Sequence, residues 1–121
     1  MTPLPDDALV VRGGLNQPES FAKGTGVSLD SARKLQGVSV NASAGESVND
    51  LTAPNAQTGY PGIPHNQVGV TTAGAIRAAT GSVVPAPTRT NPHHATLSGL
   101  TPEEASKLFR PTIQNPSRKK N

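Results

Sequence analysis

Two adjacent histidines, His93 and His94, open an alternating polar and apolar pattern in the stretch NPHHATLSGL at residues 91–100. His94, Thr96 and Ser98 alternate with apolar residues, so a β-strand would place these three side chains on one face. A histidine exchanges a proton near neutral pH, and a hydroxyl nearby can position a substrate or stabilise developing charge. His93 would face the other way, so at most one of the pair belongs to a site. A solvent-facing strand edge explains the same alternation, and this alternative stays open.

A second group with chemical potential lies in the stretch ALVVRGG, where Arg12 ends a short β-rich run just before Gly13 and Gly14. Arginine binds phosphate through two parallel hydrogen bonds, and glycine lets a phosphate approach the main chain closely. We therefore predict a catalytic role for Arg12 and substrate binding at the two glycines. A salt bridge from Arg12 to Asp6 or Asp7 at the rim explains this residue equally well.

A third candidate pair is found in the stretch GVSVN, where Ser39 and Asn41 alternate with two valines. If the valines lie in the core, Ser39 and Asn41 face outwards or into a cleft. A hydroxyl and an amide can hold a ribose or a phosphate, so Ser39 is a candidate for catalysis and Asn41 for substrate binding. The ordinary alternative is the solvated face of an edge strand.

Other site chemistries find no pattern in the sequence. The chain has no cysteine, which excludes disulfides and thiolate zinc sites, and its three histidines lack the spacing of a metal site. There is no phosphate-binding P-loop, no GxGxxG after a strand and no GxSxG motif. Acidic residues are found mainly at predicted helix starts and turns, which argues against a carboxylate pair for glycoside cleavage. We predict no metal site.

Charge is concentrated at one end of the 121-residue chain. Of the 11 basic residues, Arg118, Lys119 and Lys120 lie among the last four positions, and the other basic residues balance the 8 acidic ones. A basic tail can attract phosphate, although it more often serves only to keep a protein soluble. No apolar run is long enough to cross a membrane, and the acidic, proline-bearing start does not resemble a signal peptide. We expect a cytoplasmic protein, or one delivered into the cytoplasm of a target cell, with no membrane partner.

Apolar patterning and cap residues predict the elements that must position these side chains. Strands are predicted in ALVVR, GVSVN, VGVTT, SVVPAPT and HATLSGL, the fourth as an edge strand because of its prolines. Short helices are predicted in PESFAKG, SLDSARKL, ASAGESVNDL, TAGAIRAATG and TPEEASKLF, the last capped by Thr101 with Pro102 in its first turn. Residues 53–67 are predicted to form a flexible loop. The order indicates one α+β domain over residues 1–113, with a small mixed or antiparallel sheet and short helices, followed by a basic and flexible tail at 114–121.

Taken in order, the Arg-Gly-Gly strand, the GVSVN strand and the histidine-led strand before the TPEEASKLF helix resemble a known family. The pattern is similar to small toxin domains at the C-termini of Rhs-type bacterial polymorphic toxins and to small toxins of toxin–antitoxin systems. The resemblance spans roughly residues 8–113 and nominates Arg12, Ser39 and His94. One departure is that such domains carry an acidic residue soon after the histidine, and HHATL has none.

The resemblance implies a toxin-type effector that arrests bacterial growth by attacking RNA or translation, with a cognate antitoxin or immunity protein as partner. The first hypothesis is a small endoribonuclease that needs no metal or other cofactor. Such cleavage requires a base for the 2′-hydroxyl, an acid for the leaving oxygen and a cation for the phosphorane. His94, Arg12 and a second basic group, Arg77 or Arg89, could supply them, and Thr96 and Ser98 would contact the RNA. The scarcity of aromatic residues for base stacking argues against this hypothesis.

Two alternatives stay open. An RGG strand followed by a serine-bearing strand also resembles the arginine and serine motifs of ADP-ribosyltransferases, which would make NAD the substrate. Those enzymes usually require a later glutamate on a strand, and only Glu103 and Glu104, at a predicted helix start, are available. The second alternative is a non-enzymatic binding or immunity-like module, whose polar strand faces would meet another protein chain.

Overall fold

A six-stranded antiparallel sheet forms the centre of the fold in the computed structural model, which describes residues 3–24 and 26–118. Within these residues the strands are, in chain order, β1 (Leu9–Gly13), β2 (Ser28–Leu29), β3 (Leu35–Gln36), β4 (Val38–Ser43), β5 (Gln67–Thr72), β6 (Ser82–Pro85), β7 (His94–Ser98) and β8 (Ile113–Gln114). The large sheet has the order β6-β7-β4-β1-β5-β8, and β2 pairs with β3 in a separate hairpin. The helices are α1 (Pro18–Ala22), α2 (Val48–Thr52), α3 (Ala73–Ala78) and α4 (Pro102–Phe109), with a 3₁₀-helix at Pro116–Arg118. The predicted α+β class is confirmed, with the antiparallel form of the sheet.

The two faces of the sheet are covered to different extents. On the first face, strand residues pack against α1, α3 and α4 in a cluster that includes the buried rings of Phe21 and Phe109. On the second face, α2 and the irregular segment at 53–66 cover β1 and β5 through a smaller cluster that contains Val11 and Leu51. Apolar side chains alternate along the strands as the sequence pattern predicts. The second face of β6, β7 and the start of β4 is less covered, with Ser39 and Val84 exposed and the β7 side chains half-buried.

Helix α4 begins where its cap residues predict. The hydroxyl of Thr101 accepts the N–H of Glu104 at 3.1 Å, and the Glu104 carboxylate accepts the N–H of Thr101 at 2.9 Å. Pro102 lies in the first turn, where its missing N–H costs no hydrogen bond. Thr72 caps α3 in the same manner by accepting the N–H of Ala75. These local signals were sufficient because each is satisfied within one helical turn.

The prediction of a helix in SLDSARKL is wrong, because this stretch forms the β2–β3 hairpin. The carboxylate of Asp30 accepts the N–H groups of Ala32 and Lys34, both at 2.9 Å, and so folds the chain into a turn. Arg33 adopts a left-handed backbone conformation with φ of 62°. Short acidic side chains compete with helix formation by bonding the nearby backbone, and here that competition decides the structure.

The segment after residue 113 differs from the predicted flexible tail as far as Arg118. Gln114 pairs with Gln67 as part of β8, Asn115 is fully buried, and a 3₁₀-helix follows. The segment is held mainly by hydrogen bonds of Asn115, which apolar patterning cannot reveal. The basic residues Lys119 and Lys120 lie outside the described part of the chain.

The predicted loop over residues 53–67 corresponds to an irregular segment that runs to the start of β5. Its first part is closed by a hydrogen bond of 2.8 Å from the N–H of Asn55 to the carbonyl of Tyr60. The flexibility of this loop stays a prediction. In the residues that the structure describes, no helix is both long and apolar enough to cross a membrane.

Candidate functional site

A cleft opens where β1 and β4 separate. The β1–β4 ladder ends at the pair Val11–Asn41, whereas the β1–β5 ladder continues to Gly13. The resulting cleft has a volume of about 270 Å³. The lining residues used below are Gly13, Ser39, Asn41, Tyr60, His65 and His94. Two candidates chosen from separate sequence motifs, Ser39 and His94, therefore share one cleft.

Ser39 and His94 are in direct contact across adjacent strands. Asn41 pairs with His94 and Ser39 with Thr96, so these side chains lie on the same face of the sheet. Nδ1 of His94 lies 2.9 Å from the carbonyl oxygen of Ala86, which can only accept, so this nitrogen carries the proton. In the neutral ring, Nε2 then has a free electron pair that accepts a hydrogen bond from the Ser39 hydroxyl, with 3.1 Å between Nε2 and Oγ. The backbone thus orients the imidazole so that its basic nitrogen points into the cleft.

His65, which the sequence patterns did not single out, covers the opposite wall of the cleft. A Cβ atom built on Gly13 would overlap Nδ1 of His65 and lie 2.7 Å from Cγ2 of Ile63. Gly13 therefore makes room for a histidine side chain of the protein itself, a different use from the close phosphate approach predicted for it. Gly14, with φ of +98°, turns the chain below the same ring.

The position of His65 is set by a residue of the C-terminal segment. The side-chain amide of Asn115 donates to the carbonyl oxygens of Ile63, at 2.9 Å, and of His65, at 2.8 Å. The N–H of Asn115 also donates to the carbonyl of Asn66 at 2.8 Å. Since Asn115 is fully buried, these bonds are shielded from water and hold the segment before β5 firmly.

Asn41 is committed to structural hydrogen bonds and has only 5% of its surface exposed. Its amide nitrogen donates to the carbonyl of Leu51 at 2.8 Å and to the hydroxyl of Tyr60 at 3.0 Å. Its amide oxygen accepts a hydrogen bond of 2.8 Å from Asn91. The predicted binding of substrate by Asn41 is not favoured by this geometry, because the amide instead joins three walls of the cleft.

The guanidinium of Arg12 points away from Ser39 and His94. Alternation along β1 directs it to the first face, where it lies 4.2 Å above the ring of Phe21. Its Nη1 donates to Asn16 at 2.8 Å and its Nη2 to the carbonyl of Ser20 at 3.1 Å. Burial lowers the pKa of Arg12, although a guanidinium keeps its charge. The guanidinium is thus engaged with α1 and with the turn after β1, and the catalytic role of Arg12 stays a prediction.

Asn16 links the Arg12 guanidinium to the glycine turn. This fully buried residue accepts from Arg12 and donates to the carbonyls of Arg12, at 3.0 Å, and Gly14, at 3.1 Å. No carboxylate of the described residues lies within ion-pairing distance of Arg12. The positive charge beneath the cleft is consequently not neutralised by a neighbouring side chain of that part of the chain.

The remaining predicted binding residues lie outside the cleft. Arg77 on α3 forms an ion pair of 2.8 Å with Asp6, so the salt bridge considered for Arg12 belongs to Arg77 instead. Thr96 and Ser98 share the open face with His94 but do not line the cleft, and the Ser98 hydroxyl accepts the N–H of Gly37 at 3.3 Å. Arg77 belongs to a helix on the first face of the sheet, whereas Thr96 is the direct cross-strand neighbour of Ser39.

His93 lies in a neighbouring hollow with Glu46, Asp50 and Tyr60. Hydrogen bonds from the hydroxyl and the N–H of Ser47 lower the pKa of Asp50, and the charge of His93 adds a smaller contribution. The two adjacent histidines therefore face different surroundings, one acidic and one without carboxylates. This separation makes His93 a matched control for His94.

No aspartate or glutamate of the described residues lines the Ser39–His94 cleft. Glu103 and Glu104 lie on α4, which packs against the first face of the sheet. Glu104 is engaged with Thr101 and with Lys34, whose Nζ lies 3.4 Å away. Nowhere in residues 3–24 and 26–118 do three or more His, Cys, Asp or Glu side chains gather as a group that could hold a metal ion.

Sequence reasoning missed His65 and Tyr60 because they lie in a proline-rich loop without periodicity. One signal could have located His65: it precedes β5 by two residues, and the start of β5 lies beside the end of β1 in an antiparallel pair. Knowledge of that pairing would have placed His65 beside Gly13. Comparison with protein-family models, with curated proteins and with solved structures finds no match to this chain, so its function must be argued from this cleft.

Proposed function

We propose that this protein is a toxin-type endoribonuclease that cleaves RNA without a metal ion, with His94 as the base that activates the 2′-hydroxyl. The observation that carries the proposal is the orientation of His94, whose Nδ1 is held by the Ala86 carbonyl while Nε2 faces the cleft. An RNA 2′-hydroxyl that replaces the Ser39 hydroxyl on Nε2 would be in position to lose its proton. Ser39 then acts as a positioning residue that holds the imidazole before substrate arrives.

The electrostatics of the cleft favour a phosphodiester. The lining includes two histidines and Arg12 but no carboxylate of the described residues, and the charge of Arg12 lies just behind the glycine turn. A partly buried cation acts over a longer range than an exposed one, because less water screens it. This arrangement attracts an anionic substrate and stabilises charge that develops on the phosphorane.

The same cleft supports ADP-ribosyl transfer less well. That reaction needs a carboxylate beside the ribose of NAD, and the two candidates, Glu103 and Glu104, belong to a helix on the other face of the sheet. The role as a growth-arresting toxin in the bacterial cytoplasm, with an antitoxin or immunity partner, rests on the order of the three motifs. Growth arrest on expression in bacteria, lost in His94→Ala, would support this part of the proposal.

The test is cleavage of a defined RNA by the purified protein, with and without EDTA and with and without NAD. We expect fragments that end in 2′,3′-cyclic phosphate in every condition, and no cleavage where a 2′-deoxynucleotide replaces the attacking one. His94→Ala should reduce the rate by about 10² to 10⁴-fold, the usual contribution of an acid–base group. His93→Ala is the control and should leave the rate unchanged, because this side chain lies in the neighbouring hollow.

Four outcomes would contradict the proposal. Cleavage that EDTA abolishes would require a metal, and modification that requires NAD and releases nicotinamide would establish the transferase. An intact RNA in every condition would favour a binding module. Equal rates for His94→Ala and the wild type would remove His94 from the chemistry even if RNA is cut.

A further inference from the structure

We propose that His65 is the second acid–base residue of this cleft and delivers the proton to the leaving 5′-oxygen of RNA. This inference rests on the proposed ribonuclease function, and it names an acid in place of the second basic group, Arg77 or Arg89, that the sequence suggested. Neither arginine suits that task, because a guanidinium does not release its proton under physiological conditions.

The first support is the placement of the two imidazoles on opposite walls. His94 enters the cleft from β7, whereas His65 enters from the segment before β5 and lies over Gly13. The separated ends of β1 and β4 lie between them. A phosphate in this gap would have one histidine on the side of its 2′-oxygen and the other on the opposite side. In-line displacement requires this arrangement, because the attacking and leaving oxygens lie on opposite sides of phosphorus.

The second support is that the structure fixes the backbone of His65 but leaves its ring available. Asn115 clamps the carbonyls of Ile63 and His65 from a fully buried position. The His65 ring is exposed to solvent and makes no hydrogen bond with other described residues, whereas His94 uses both ring nitrogens. A solvated surface loop does not require such a clamp, but a proton donor that must meet a departing oxygen does.

The step balances with these two groups alone. The 2′-oxygen forms a bond to phosphorus as Nε2 of His94 takes the hydroxyl proton, and the bond from phosphorus to the 5′-oxygen breaks. The electron pair of that bond goes to the 5′-oxygen, which receives its proton from protonated His65. The products are a 2′,3′-cyclic phosphate and a 5′-hydroxyl, with one proton moved from His65 to the product and one taken up by His94.

The groups that transfer protons in this mechanism are the two histidines of the cleft. The other titratable lining residues are Arg12 and Tyr60, whose residue types ionise only at alkaline pH. On the elements packed around the cleft, His93, Glu46 and Asp50 lie in the hollow beyond Tyr60, and Arg118 is exposed on the 3₁₀-helix. We therefore expect a bell-shaped dependence of kcat/KM on pH, since His94 must be neutral and His65 protonated.

The decisive test compares two substrates of the full chain. One is a uridylyl dinucleotide, whose nucleoside leaving group needs a proton, and the other is uridine 3′-(4-nitrophenyl phosphate), whose leaving group departs without one. For His65→Ala we expect a loss of about 10² to 10⁴-fold on the dinucleotide and near wild-type rates on the nitrophenyl ester. His94→Ala should lose activity on both substrates. The alkaline limb of the pH profile should vanish in His65→Ala alone.

The inference would be overturned by equal losses of His65→Ala on both substrates, or by no loss on either, or by survival of the alkaline limb. His65→Gln, which keeps a polar side chain of similar size, must reproduce the leaving-group effect, and thermal unfolding checks that both variants fold. Failure of the ribonuclease proposal itself gives a different result. In that case the wild type cleaves neither substrate.

Discussion

Gly13→Ala tests whether the absence of a side chain at Gly13 allows the His65 ring to lie against the end of β1. Gly13 is not among the glycines with positive φ, so alanine can adopt its backbone conformation without strain. The added methyl group would overlap Nδ1 of His65 and lie 2.7 Å from Cγ2 of Ile63. The effect of the substitution on the folded state should therefore come mainly from contacts of the new methyl group with these two side chains.

The magnitude follows from these contacts. Non-bonded carbon atoms prefer a separation of about 3.5–4.0 Å, so the side chains must retreat by roughly 1 Å. Overpacking of this kind costs about 1–3 kcal/mol, and the lower entropy of an unfolded chain with alanine offsets about 0.4–1 kcal/mol of it. A net loss of about 1–2 kcal/mol in the free energy of unfolding is expected. A shift of 1 Å in His65 should reduce dinucleotide cleavage by about 10²-fold.

The assay measures urea denaturation and cleavage kinetics for four proteins. These are the wild type, Gly13→Ala, His65→Ala and the double variant. If Gly13→Ala acts through His65, it should add little further loss of cleavage in the His65→Ala background. Its cost in stability should also shrink there, because the contacts with the His65 ring are absent. The reasoning is refuted if Gly13→Ala leaves stability and cleavage unchanged, or if its effects simply add to those of His65→Ala.

Three further predictions concern the supports of the cleft and of α4. Asn115→Ala removes both N–H donors that hold the segment of His65. Urea denaturation should show a free energy of unfolding that is lower by about 2–4 kcal/mol, and an effect below about 0.5 kcal/mol would contradict the role of Asn115. Arg12→Lys keeps the charge but loses the hydrogen bonds from two guanidinium nitrogens and the flat contact with the Phe21 ring. The free energy of unfolding should therefore fall by about 1–2 kcal/mol. Unchanged denaturation curves would disprove this prediction. The pKa of Glu104 is lowered, chiefly by the N–H of Thr101, so the stability it contributes is present above its unfolded-state pKa and is lost as pH falls through the lower folded-state pKa. In Glu104→Gln the fall in Tm between neutral and acidic pH should therefore be smaller than in the wild type, and an equal fall would argue against this cap.

Local signals in the sequence determined much of the fold. The alternation of Ser39 with two valines predicted a strand with one apolar face, and Thr101 with Pro102 predicted the start of α4. A similar alternation in the stretch HATLS singled out His94, which the structure brings within hydrogen-bonding distance of Ser39. The helix predicted around Asp30 failed because a side-chain bond to nearby backbone outweighed helix propensity.

Tertiary structure alone decided which of these faces meet. Side-chain alternation within β1 fixes that Arg12 and Val11 point in opposite directions, but only packing against Phe21 determines that Arg12 faces away from the cleft. His65 comes from a loop without periodicity, and Asn115 holds it from 50 residues further along the chain. Periodicity and capping are determined within a few residues of the chain. The register of strands and the hydrogen bonds between distant segments depend on the packing of the whole molecule, and they brought His65 and His94 to one cleft.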